Sequence, residues 1–219
     1  MTFPGRFAEQ LLPDSLANLS VVFLVDELSV RRGGVAANIA YGMSQLGAHP
    51  LLVGSVGDDG RDYVAALAKG GVDVSGVRVS GERHTARFVC TTDLDLNQIA
   101  AFYPGAMQEA RGIHLADLGP VDLAVISPND PSAMLTLSAE ATDRGIPAIA
   151  DPSQQIASLS PDDLRTLLTG PQLVFTNAYE ADLLSHKTGW PAEEILERVG
   201  TTITTRGADG RSRRPHRRR

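Results

Sequence analysis

Arg32-Gly33-Gly34-Val35-Ala36-Ala37-Asn38-Ile39-Ala40-Tyr41-Gly42-Met43-Ser44-Gln45-Leu46-Gly47-Ala48 decides how the rest of the chain is read. A glycine pair precedes an apolar pattern of helical period. Ala37, Ala40, Tyr41 and Ser44 share one side, and Ala36, Ile39, Met43 and Leu46 share the adjoining one. That is the pattern of a helix packed on a sheet. Gly47 marks a C-terminal stop, and Pro50 forbids continuation. Leu51-Leu52-Val53 then reads as a buried strand. Glycines at a helix start let a ligand approach backbone N–H groups, where the helix dipole favours electron-rich partners. Asn38, one turn further in, offers both a donor and an acceptor. A plain turn before a helix has the same sequence, so both readings stand here.

Working outward, strands and helices alternate. Val21 to Val25 is strand-like, with Leu28-Ser29-Val30 continuing or pairing with it. Gly54 to Gly60 is dense in turn formers and reads as a loop, and Asp62 to Lys69 as a helix closed by Gly70-Gly71. Thr85 to Thr92 alternates, and Asn97 to Tyr103 is its hairpin mate. This hairpin and the Val21 strand suit a small separate sheet. The second half repeats strand and helix: Val121–Ser127, Pro131–Arg144, Pro147–Ala150, a helix opened by Ser160, Leu173–Phe175, Ala178–Ser185, Pro191–Arg198 and Thr201–Thr205. Such alternation implies an α/β sandwich with parallel pairing, whose ligands bind at the carboxyl ends of strands.

Composition narrows the class. The chain has 219 residues, 42% of them hydrophobic and 21% charged, which suits one soluble domain. A single cysteine, Cys90, permits no internal disulfide and is read as a small buried hydrophobe in a reducing setting. No apolar run is long enough to span a membrane, and Met1 to Arg6 lacks the regions of a signal peptide, so a cytoplasmic location and no membrane partner are expected. The net charge of −6 conceals an acidic body and a basic end: seven of the 20 basic residues lie in Arg206 to Arg219. Residues 211–219 have no apolar pattern and read as a disordered tail. It is either a patch for acidic surfaces or the out-of-frame end of a GC-rich gene. Nucleic acid is not expected as a partner.

Three polar stretches follow strands. Asp151-Pro152-Ser153-Gln154-Gln155 is placed for a hydroxylated or heterocyclic ligand, or is a loop in which Asp151 caps its own backbone. Asn177 and Glu180 have the spacing of a capping box, or supply a carboxylate that organises Mg²⁺-bound water near phosphates. Thr205-Arg206-Gly207-Ala208-Asp209-Gly210 either holds nucleotide phosphates on backbone N–H groups or is a hairpin turn. His49, His84, His114, His186 and His216 show no metal-ligand spacing, and no direct metal ligand is assigned.

Taken in order, Gly33-Gly34-Val35-Ala36-Ala37-Asn38, Gly54-Ser55-Val56-Gly57-Asp58-Asp59-Gly60, Asn177-Ala178-Tyr179-Glu180 and Thr205-Arg206-Gly207-Ala208-Asp209-Gly210 resemble the signatures of the ribokinase-like sugar and nucleoside kinases, the PfkB family. Within it, Phe3 to Phe7, His84 to Phe88, Phe102 to Met107 and Asp151 to Gln155 are most similar to the actinobacterial adenosine kinases. The resemblance implies a three-layer α/β sandwich with a small β-sheet lid, the kinase domain over 1–210 and the lid from about 13–32 and 84–103. It implies ATP and Mg²⁺ as cofactors and transfer of the γ-phosphoryl to the 5′-hydroxyl of adenosine. Gly34 and Asn38 would hold the ribose. Phe88, Phe102 and Met107 would wall the base, with Gln154 and Gln155 at the substrate pocket. Asn177 and Glu180 would serve Mg²⁺ and phosphates, and Thr205 and Gly207 the ATP. The lid would also be a homodimer contact. The family's first strand carries a sugar-binding aspartate, and a later G-A-G-D motif carries the catalytic one. Both lie beyond the matched residues, so the resemblance implies a chain short at both ends, with no catalytic residue assigned and weak or absent turnover. Two other readings accompany this one: another PfkB sugar kinase of the ribose type, and a nucleoside-binding fragment without activity.

Overall fold

The computed structural model describes residues 1–11 and 20–215. A short helical turn, α1 (Phe7–Gln10), leads through an extended segment to α2 (Val35–Gln45). Gly34 precedes α2 with φ 107°, a conformation that favours glycine, and Gly47 ends it with φ 84°. Ala37 and Ala40 are its buried face. β1 (Leu51–Gly57), α3 (Arg61–Lys69) and β2 (Asp73–Ser80) form a strand–helix–strand crossover unit, with the two strands parallel. β3 (Arg87–Thr92) and β4 (Gln98–Tyr103) form an antiparallel hairpin of their own.

The second half is a five-stranded sheet, β5 (Ala124–Ile126), β6 (Ala148–Ala150), β7 (Leu173–Asn177), β8 (Thr201–Thr205) and β9 (Arg211–Pro215), in that spatial order. The first four are parallel and β9 is antiparallel. The intervening helices are α4 (Pro131–Asp143), α5 (Gln155–Ser158), α6 (Pro161–Leu167), α7 (Ala178–Thr188) and α8 (Ala192–Val199). Their starts are written locally. Asp130 accepts from the N–H groups of Ser132 and Ala133 ahead of Pro131, and Ser160 with Asp163 forms a capping box. Each such cap stabilises its helix by about 1 kcal/mol. The core joins α4, α6 and α7 to the sheet through Met134, Leu164, Leu167, Val174 and Leu184. Between the edges of β1 and β5 lies a cavity of about 410 Å³, walled by apolar side chains such as Ile39, Met43, Leu52, Val125 and Met134.

Three expectations are corrected. Val21 to Val25 forms no ladder; Phe23 instead joins an aromatic cluster with Phe3 and Phe7, at centroid distances of 5.1 and 4.8 Å. Its neighbours Val22 and Leu24 are left 86% and 81% exposed. Isolated bridges from Thr2 to Glu27 and Thr92 stand where the extra lid strand was expected. The part of that lid range over 13–19 lies outside the described residues. Second, Gly54 to Gly57 belongs to β1, because its backbone pairs with β2 as far as Gly57 opposite Ser80. Third, Arg211 to Pro215 is an edge strand. Backbone pairing with β8 needs no apolar side chains, and exposed arginines suit a sheet edge. His216 to Arg219 lie outside the described residues.

Candidate active site at the strand tips

Four adjacent parallel strands end in polar residues: Ser127 after β5, Asp151 after β6, Asn177 closing β7 and Thr205 closing β8. Register levels Ser127 with Asp151, since Ile126 is opposite Ala150, and Asn177 with Thr205; Ala150 opposite Val174 sets the second pair two residues further along the sheet. The capping box at α7 is present. The Asn177 N–H donates to Glu180 Oε2 at 2.7 Å, and the Glu180 N–H donates to Asn177 Oδ1 at 2.8 Å. The box fixes the Glu180 carboxylate at the helix start.

Burial, and then the negative charge of Glu180, push the Asp151 carboxyl up to about 6. A carboxyl whose ionisation a neighbouring carboxylate opposes is a natural seat for a hard cation, and Mg²⁺ takes few carboxylates and keeps several waters. Asp151 and Glu180 are the residues that would hold it. Among the described residues no cluster of three or more metal-ligating side chains occurs. From the sequence, Asp151 opens a stretch placed for a hydroxylated or heterocyclic ligand, or caps its own loop, with no part on the phosphate side. Its distinguishing feature, burial beside a residue 29 positions away, is a tertiary one.

The turn after Asp151 is strained and braced. Ser153 has φ 45°, uncommon for a residue with a side chain. Gln155 Nε2 donates to the Asn129 carbonyl at 2.8 Å, and its Oε1 accepts from Ser158 Oγ at 2.6 Å. Gln155 thus supports the turn, while Gln154 is exposed. Lys187 on α7 donates to the carbonyls of Ile156, Ala157 and Leu159, tying the helix that carries Glu180 to the segment that follows Asp151.

Thr205 and Gly207 sit at a hairpin turn. The Arg206 N–H donates to the Gly210 carbonyl at 2.8 Å, and Gly207 has φ 57°. The hairpin form is therefore present, at the tip where phosphates were expected. Gly34 and Asn38 adjoin on the first turn of α2, where the Asn38 N–H donates to the Gly34 carbonyl at 2.9 Å and the Asn38 side chain is exposed. Phe88 and Phe102 are direct cross-strand partners in the hairpin, 65% and 46% exposed. Met107 follows in the 3₁₀ stretch Gly105–Gly112, half-buried. The expected residues thus fall into three groups: the α2 start, the hairpin, and the tips of β6 to β8. The apolar cavity between β1 and β5 is lined by none of the expected site residues.

An alternating α/β body with a mostly parallel sheet, polar strand tips and a small antiparallel hairpin defines a ribokinase-like fold. The pfkB family carbohydrate kinase model matches residues 9–212, and the chain belongs to that family. The nucleoside kinase of Burkholderia thailandensis in complex with inosine is 36% identical and superposes with a TM-score of 0.86, over 98% of this chain and 68% of its own. The nucleoside kinase of Methanocaldococcus jannaschii is 29% identical over 184 residues, and the ATP-dependent ribose-1-phosphate kinase of Halopiger xanaduensis is 27% identical over 184 residues. The match with the Methanocaldococcus protein covers 81% of this chain and 59% of that relative's length. These names are those of nucleoside and ribose-phosphate kinases, a broader class than the adenosine kinases expected from the motifs.

Proposed function

We propose that the chain binds a purine nucleoside, adenosine or a close relative, and presents its 5′-hydroxyl to the γ-phosphoryl of ATP. The carrying observation is the tip cluster: Asp151 and Glu180 beside Asn177 and Thr205. The Asp151 carboxyl, whose ionisation burial and the Glu180 charge oppose, suits a cation bridging to phosphate oxygens. When bound there, Mg²⁺ would neutralise charge on the transferring phosphoryl group. The chain's own residues bind and orient. Asn177 holds Glu180 through the capping box, Thr205 and Gly207 offer a hydroxyl and backbone N–H groups to phosphates, and Gly34 and Asn38 take the ribose. Phe88 and Phe102 supply aromatic faces for a base, beside Met107 and Gln154, with Gln155 holding the turn. Two exposed rings side by side on a hairpin are poorly explained by folding alone.

Phosphoryl transfer forms the O5′–P bond and breaks the bond from the γ-phosphorus to the bridging oxygen of ADP. The 5′-hydroxyl proton needs an acceptor, a role assigned to none of these residues. Binding and orientation are therefore this chain's share, and binding tests it. The complex of the Burkholderia relative with ADP and inosine supports the pairing of ligands. A sugar lacking a base is the competing class, given the ribose-1-phosphate kinase among the relatives. Calorimetric titration with adenosine, inosine and ribose separates the two. Nucleosides should bind at least about tenfold tighter, a difference of about 1.4 kcal/mol. Ribose binding as well as adenosine would end the nucleoside reading.

A further inference from the structure

The hairpin is joined to the body at two feet, residues 83–86 before β3 and residues 104–106 after β4. The first foot meets the loop that follows β1, and the second foot meets the first. The Asp59 carboxylate accepts from the Thr85 N–H and from Thr85 Oγ1, each at 2.8 Å through Oδ1, and from Arg87 Nη2 at 2.8 Å through Oδ2. His84 Nδ1 stands 3.6 Å from the same Oδ2. Thr85 Oγ1 accepts in turn from the Gly57 N–H at 3.0 Å. At the second foot the Ala106 N–H donates to the His84 carbonyl at 2.9 Å, locking the two feet together.

Space at this joint is filled. A Cβ on Gly57 would collide with the Arg83 carbonyl, and one on Gly60 would stand 2.6 Å from Thr85 Oγ1. Gly105 has φ 47°, and a Cβ there would collide with the His84 carbonyl. Three glycines and one carboxylate thus hold the start of β3 on the end of β1. The hydrogen bonds from Thr85 keep the Asp59 carboxyl well below the usual carboxylate range, so it stays ionised and acceptor-only. By contrast, β4 is exposed along its whole length. The far end of β3 is bonded to the N-terminal segment, the Phe3 N–H donating to the Thr92 carbonyl at 2.9 Å and the Leu94 N–H to the Gly5 carbonyl at 3.0 Å, and its base is held on the end of β1.

We propose that Asp59 is a positioning residue: through Thr85 and Arg87 it fixes the angle at which the β3–β4 hairpin leaves the body, and so the place of Phe88 and Phe102 over a nucleoside. This rests on the nucleoside reading for its ligand, though not for its mechanics. A site whose binding-competent orientation is only fractionally populated binds more weakly by that fraction. Loss of the joint therefore weakens binding without touching any ligand-contacting group.

The test compares the whole chain with Asp59→Asn and with Thr85→Val, which keeps the shape of the side chain and removes the hydroxyl. Amide exchange is followed in β3 and β4, with β7 and β8 as internal reference, and adenosine affinity is measured by calorimetry. Both variants should speed exchange in β3 and β4 by about tenfold or more, leaving β7 and β8 unchanged. The adenosine dissociation constant should rise about tenfold, and the double variant should add little to either single one. Phe88→Ala should weaken adenosine without changing exchange at the hairpin's base. Unchanged hairpin exchange in both single variants overturns the proposal, as does acceleration spread evenly over β7 and β8. Should Asp59→Asn free the hairpin while the unaltered chain binds no adenosine, the joint is upheld and the nucleoside reading fails.

Discussion

Asp151 follows β6 and Glu180 lies in the first turn of α7, which follows the neighbouring strand β7, and the charge of Glu180 helps burial to hold the Asp151 carboxyl at about 6. Ionising Asp151 is thus opposed in the folded chain and unopposed in the unfolded one. The folded form binds more protons between the ordinary carboxylate range and about pH 6, so stability falls as pH rises through that window. The penalty is complete above it and absent below about pH 4. Asp151→Asn should therefore melt a few degrees higher than the parent at about pH 8 and with it at about pH 4. Melting curves across this range check the sign. A variant less stable at pH 8 would contradict it.

Mg²⁺ should act on the same pair. Added MgCl₂ should raise the melting temperature of the parent near neutral pH and leave Asp151→Asn unmoved, since binding to the folded form alone stabilises it. An equal response in both proteins would remove Asp151 from the cation site.

Asn177 and Glu180 separate into a structural and a charge role. Asn177→Ala breaks the box and should cost about 1 kcal/mol in denaturant unfolding. Glu180→Gln retains a side chain that closes the box, yet removes the charge that raises the Asp151 carboxyl. Glu180→Gln should thus fold nearly as the parent while the Asp151 titration, followed by carboxyl NMR, moves down. If it destabilised as much as Asn177→Ala, the charge role would be lost within the cap.

Lys187 draws together three carbonyls of the turn beyond Asp151. Lys187→Met leaves those acceptors without their cation and should destabilise by about 1–3 kcal/mol. Its trace should be local: faster amide exchange over residues 153–159, and weaker Mg²⁺ stabilisation. Lys187→Arg should recover part of both. Uniform exchange changes would mark Lys187 as a core prop only.

The helices were legible because their signals sit within four residues of one another. Pro131, Ser160 with Asp163, Asn177 with Glu180, Gly34 before Val35 and Gly47 after Leu46 each write a start or a stop locally. The parallel strands followed from their alternation with those helices. What escaped were matters settled at long range. Phe23 was claimed by Phe3 and Phe7 rather than by a ladder. Arg211 to Pro215 became a strand because β8 offered a free edge. The Asp59 joint spans 26 residues, and nothing in a loop-like Gly-Asp-Asp-Gly announces its partner. Similarly, the motifs named the tips of β7 and β8 and the stretch from Asp151, but the coupling of Asp151 to Glu180 is a tertiary matter that no local pattern announces.

Nucleoside and triphosphate must meet at the strand tips if this chain shapes a phosphoryl-transfer site. Mn²⁺ carried by ADP is a paramagnetic probe of that meeting. In the presence of the chain, Mn²⁺-ADP should broaden the 5′ proton resonances of adenosine far more than those of its base, and Glu180→Gln should weaken the effect. Broadening that is uniform over adenosine, or strongest at the base, would show that the two ligands do not approach one another in this orientation.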